Sequence, residues 1–152
     1  SEETEALLSS RALFNFAIDF RSKNASILPA EAFRFSDSNF RQFQNFLKSD
    51  TTFFTKQEKS FQKAYDLVDK SKNKKISKDY LKILSTLKSE KIAALSANKE
   101  HLKNEIKEII LDQYFYEEGV YKNKLTSDKT VLEAIKLLKD KTKYNQILSG
   151  RK

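Results

Sequence analysis

The sequence predicts an all-α fold, an irregular bundle of six or seven helices. Apolar residues recur at three- and four-residue spacings along most of the chain, and no stretch alternates long enough to read as a convincing strand. Two glycines, Gly119 and Gly150, and one proline, Pro29, leave little material for hairpins or tight turns. At 152 residues the chain is expected to form a single domain, 1–152, that buries roughly two-thirds of the surface exposed by the unfolded chain.

The first helix is predicted over about residues 2–22. Ser1 stands at the cap position, and Glu2, Glu3 and Glu5 fill the first turn, where the helix dipole favours negative charge. On a helical projection Leu7, Phe14 and Ile18 share one face. Leu8, Ala12, Phe16 and Phe20 form a ridge beside it, and Leu13 and Ala17 cover much of the rest. Such a helix is apolar nearly all round and requires cover on more than one side.

In the second helix Ser36 or Asp37 can cap, and Phe40, Phe43, Phe46 and Leu47 make one apolar stripe. Thr55, three residues before Glu58, forms a capping box for a third helix over about 56–71, whose stripe is Phe61, Ala64, Tyr65 and Val68. Between Ser77 and Glu118 there is neither Gly nor Pro. Leu84, Leu87, Leu95, Leu102, Ile106, Ile109 and Ile110 trace a helical stripe there, weakened at "SANKE" (96–100), so two helices or one bent helix are expected. Gly119 is placed to end this region in the left-handed conformation. Val131, Ile135 and Leu138 mark another helix, and Tyr144, Ile147 and Leu148 a short last one stopped by Gly150.

Catalytic chemistry is not legible in these residues. The chain has no cysteine, hence no disulfide, no thiolate nucleophile and no thiolate zinc site. It has no G-x-S-x-G elbow and no Gly-rich nucleotide loop, so no catalytic and no cofactor-binding residue is assigned. His101, Glu105 and Glu108 fall on one helix face, but the Glu-x-x-His order of di-metal bundles is missing, since Asn98 stands three residues before His101. The trio reads as a solvated face, and no metal is assigned.

A net charge of +8 raises the question of nucleic acid, because Lys70, Lys72, Lys74, Lys75 and Lys78 cluster in "DKSKNKKISK". Only five arginines are present, and the cluster holds no aromatic that could stack on a base. A lysine-rich solvated face is the simpler reading. No apolar run reaches the roughly 20 residues of a membrane span, and the N-terminus lacks the pattern of a signal peptide. Beginning with Ser1 and not Met, the chain reads as processed or as a segment of a longer one.

Three segments together, in order and spacing, resemble the C-terminal helical region of bacterial C-terminal processing peptidases, the tail-specific serine protease family. They are "FNFAIDF" (14–20) with "FSDSNFRQFQNFLK" (35–48), "KNEIKEIILDQYFYEEG" (103–119), and "AIKLLKDKTKYNQILSG" (134–150). Gln113-Tyr114-Phe115-Tyr116 stands where the family more often has an Arg-Tyr-Tyr-Tyr run. The resemblance implies a non-catalytic accessory or interaction domain of an exported protease, C-terminal to a catalytic domain and active in the periplasm or cell envelope. Its partners would be the PDZ and catalytic domains, which hold the serine and lysine of a serine endopeptidase. The alternative is an independent basic helical protein with nucleic acid as ligand.

Eleven of the twelve phenylalanines lie between Phe14 and Phe61. Those of the second and third helices read as core. For the first helix two readings stand: the ridge Leu8, Ala12, Phe16, Phe20 docks on an absent domain or on a second copy of the chain, or the helix is central and sheathed by its own bundle.

Overall fold

The computed structural model describes residues 1–68 and 74–149. Among these residues the fold is all-α, without strands: α1 (Glu2–Leu8), α2 (Ala12–Lys23), α3 (Asp37–Leu47), α4 (Lys56–Asp66), α5 (Lys74–Ala94), a 3-10 turn (Leu95–Asn98), α6 (Lys99–Leu125), α7 (Lys129–Lys139) and α8 (Lys141–Leu148). No described helix is long and apolar enough to cross a membrane.

The first predicted helix is two helices. Ser10 breaks it with its own side chain, whose Oγ donates to the Leu7 carbonyl (2.7 Å) and accepts from the Ala12 amide (3.1 Å). This local bonding competes with the helical ladder, as serine hydroxyls can at any exposed turn. The acidic first turn of α1 is as expected, with the Ser1 hydroxyl accepting from the Thr4 amide.

The caps of the next two helices follow the sequence closely. Ser36 accepts from the Asn39 amide (3.1 Å) while Asn39 Oδ1 accepts from the Ser36 amide (2.9 Å), closing a box at the start of α3. Thr55 and Glu58 form the predicted box on α4 (3.2 and 2.9 Å). α4 ends at Asp66, earlier than expected; positions 69–71 of the expected span lie outside the described residues, as does Gly150.

The α4 stripe is not core. Phe61 and Tyr65 are only half-buried because α4 packs principally on α5, where both rings stack on Tyr80 (5.0 and 3.7 Å between centroids). The break near 96–100 is present as the 3-10 turn. Gln44 reaches it from α3, donating to the Ile92 carbonyl and the Ser96 hydroxyl (3.4 and 3.3 Å), and Asn98 donates to Thr4 Oγ1 (3.0 Å).

The core lies where α2 crosses α6. Leu102, Ile106, Ile110 and Leu111 of α6 are fully buried against Leu13, Phe16, Ala17 and Phe20 of α2, with α3 and the segment 24–35 closing the sides. Phe33 and Phe35 come from that irregular segment, shaped by a turn in which the Ala32 and Phe33 amides donate to the Pro29 carbonyl (2.8 and 2.9 Å). Asn123 near the end of α6 is itself buried and donates to the Ala30 carbonyl (2.6 Å), which satisfies both groups.

Candidate docking surface

The ridge expected to face a partner is internal for three of its four members. Ala12, Phe16 and Phe20 are buried in the core of the domain, and Leu8, separated from them by the break at Ser10, is 39% exposed on a different helix. Phe16 is the hub of an aromatic cluster: its ring meets Phe43 at 5.1 Å and Phe46 at 5.5 Å, both edge-on, and Phe20 and Phe35 at 6.1 Å. Edge-to-face pairs of this kind add to the stabilisation from burial alone. The docking-face reading of this ridge is therefore corrected in favour of a helix sheathed by its own bundle. What α2 leaves open is the opposite side, where Phe14 (49% exposed) and Ile18 (47%) sit one turn apart.

Gly119 does not end its helix. It is buried inside α6, and a Cβ on it would lie 2.2 Å from Phe115 Cβ, so its function is close approach. The positive φ belongs to Tyr116 (φ 57°, ψ −165°), three residues earlier. A bulky residue in that region is held there by its surroundings. Tyr114, donating to the Asn24 carbonyl and lying under the Arg21 guanidinium (5.5 Å), pins one side of the kink, and the Lys124–Glu108 ion pair (2.9 Å) bridges it. Tyr116 and Tyr121 project into solvent beside it.

A cleft of about 660 Å³ lies between α2 and α3, but most of its polar rim is engaged within the helices. Lys23 pairs with Asp19 (2.7 Å), Asn24 donates to the Phe20 carbonyl (2.8 Å) and Asn39 belongs to the capping box. His101 is exposed and lies 3.9 Å from the half-buried Glu105, whereas Glu108 pairs with Lys124 instead. No group of three His, Cys, Asp or Glu that could hold a metal ion occurs among the described residues. Of the lysine cluster, Lys70 and Lys72 lie outside the described residues, Lys74 opens α5, and Lys75 and Lys78 are exposed on it.

Asp37 ties α3 to α6. Hydrogen bonds from Lys99 (2.6 Å) and Lys103 (2.9 Å) hold its carboxyl down at about 2. A depressed carboxylate contributes stability that is present above its unfolded value and lost as pH falls through the folded one. Thermal melts of the wild type and Asp37→Asn should therefore differ at neutral pH and converge as the pH approaches about 2. A gap that persists unchanged to that pH would remove the tether from the account.

Residues 3–138 match the family model described as "Probable PDZ-protease, C-terminal helical domain". No curated protein and no solved structure matches the chain.

Proposed function

Because this chain belongs to the family of C-terminal helical domains of probable PDZ-proteases, we propose that it is the non-catalytic accessory domain of an exported, tail-specific serine protease. In this reading it docks on the catalytic and PDZ domains, which hold the nucleophile and base, and the protein works in the periplasm or cell envelope. The observation that supports docking is the Phe14–Ile18 pair. It lies on α2, whose Ala12, Leu13, Phe16, Ala17 and Phe20 are buried in the core, on the side away from that core. Large apolar side chains on a rigid element are suited to anchor an interface, since little side-chain freedom remains to be lost on binding.

The test uses the chain alone and with the rest of its protease. Alone, it should leave unfolded casein and peptides with apolar C-termini uncut. Added to a protease lacking this domain, it should associate, and Phe14→Ser with Ile18→Ser should weaken association about tenfold or more while leaving the melting temperature nearly unchanged. Turnover that survives repurification of the chain, or association indifferent to the double substitution, would overturn the proposal.

A further inference from the structure

The last two helices differ from the rest of the domain. α7 and α8 bury no residue, and each packs chiefly on the other. Both are firmly started: Asp128 accepts from the Thr130 and Val131 amides (2.8 and 3.2 Å), and Asp140 from the Lys143 amide (3.1 Å). They are built helices with an apolar side that this domain does not cover. On α7, Val131, Ile135 and Leu138 lie on one side and Lys129, Glu133 and Lys136 on the other. Six large apolar side chains of the pair are exposed: Leu132, Ile135, Leu138, Tyr144, Ile147 and Leu148.

Two observations indicate what covers them. First, the cleft between α7 and α8 is rimmed by Glu133, Lys136, Asp140 and Lys143, and of the six exposed apolar side chains only Ile147 reaches it. The others stand outside that cleft, an arrangement that a fluid apolar phase accepts without a socket to match. Second, Lys129, Lys136, Lys139, Lys141 and Lys143 are all exposed, and none is in an ion pair among the described residues. Against these five lysines the hairpin carries three acids, Glu133 and the capping Asp128 and Asp140, and so remains net positive. A second copy of the chain would set lysines against lysines, so the charge favours an anionic surface. We propose that α7 and α8 form an interfacial anchor, laying their apolar side chains into the surface of an anionic lipid bilayer with the lysines among its headgroups.

The chain has no tryptophan, so Leu138→Trp and Phe14→Trp each install a single reporter, one on the proposed anchor and one on the body. With vesicles rich in phosphatidylglycerol, Leu138→Trp emission should shift to the blue and Phe14→Trp should not. Vesicles of phosphatidylcholine alone should bind about tenfold less or weaker still, and salt should release the chain from the anionic ones. Leu138→Glu with Leu148→Glu changes two exposed positions and should lose about tenfold in co-sedimentation without lowering the melting temperature. Lys136→Gln with Lys143→Gln should weaken binding and flatten its salt dependence. No co-sedimentation with anionic vesicles, undiminished binding by the Glu variant, or equal shifts from both reporters would overturn the anchor. So would a Glu variant that loses contact with the other protease domains when the wild type ignores vesicles.

Discussion

Lys91→Met is expected to destabilise the domain by about 3–5 kcal/mol, because it leaves a carboxylate buried without its cation. Glu58 and Lys91 are both almost fully buried. Lys91 donates to Glu58 Oε2 (2.6 Å) and to the Phe53 carbonyl (2.6 Å), and its ammonium sits 4.2 Å from the centre of the Phe53 ring. Burial pulls the lysine below its ordinary range, against the opposing pull of the Glu58 hydrogen bond. The desolvation cost of the charge is therefore not recovered in full, and a well-packed apolar pair should serve about as well. Glu58→Leu with Lys91→Met should recover most of the loss, short of about 1 kcal/mol for the broken capping box. Urea unfolding of the two single variants and the double decides the matter. A single-variant loss under about 1 kcal/mol, or a double worse than both singles, contradicts a buried pair whose halves depend on each other.

Phe16→Ala should cost about 3–5 kcal/mol, a large part of the stability of a domain this size. Four aromatic neighbours surround that ring, and the void left by its removal cannot be refilled without moving α3 or the 24–35 segment. Phe43→Ala should cost a similar amount, its ring being fully buried in the same cluster. Phe14→Ala, two residues from Phe16, should stay within about 1 kcal/mol of the wild type because half of its surface already meets solvent. Thermal or urea melts of the three variants give the comparison. Equal losses at positions 14 and 16 would mean that the assignment of the α2 faces is wrong.

The contrast between Phe14 and Phe16 also marks how far the sequence could be read. Helix periodicity identifies α2 as apolar on several sides, but every side looks equally in need of cover until the position of α6 is known. The aromatic motifs at 14–20, 35–48, 103–119 and 134–150 led to the family that the match over residues 3–138 shows, though they do not say which of their rings face inward. The candidate surface was the least legible part. It is made of what the core leaves over, and leftover positions have no pattern of their own.

Features set by contacts within a few residues were determined by the sequence alone: the all-α class, the acidic start of α1, a cap at Ser36 or Asp37, the Thr55–Glu58 box and the weak point at 96–100. Each depends on backbone groups and side chains that meet whatever the rest of the chain does. Tertiary structure decided the rest. The partner of Glu58 lies 33 positions along the chain, the role of Gly119 follows from a kink at Tyr116 that brings Phe115 against it, and α4, read as core, meets little but α5. Periodicity reports that a face is apolar, while the element that covers it, or leaves it open as on α7 and α8, is set by packing between segments distant in sequence.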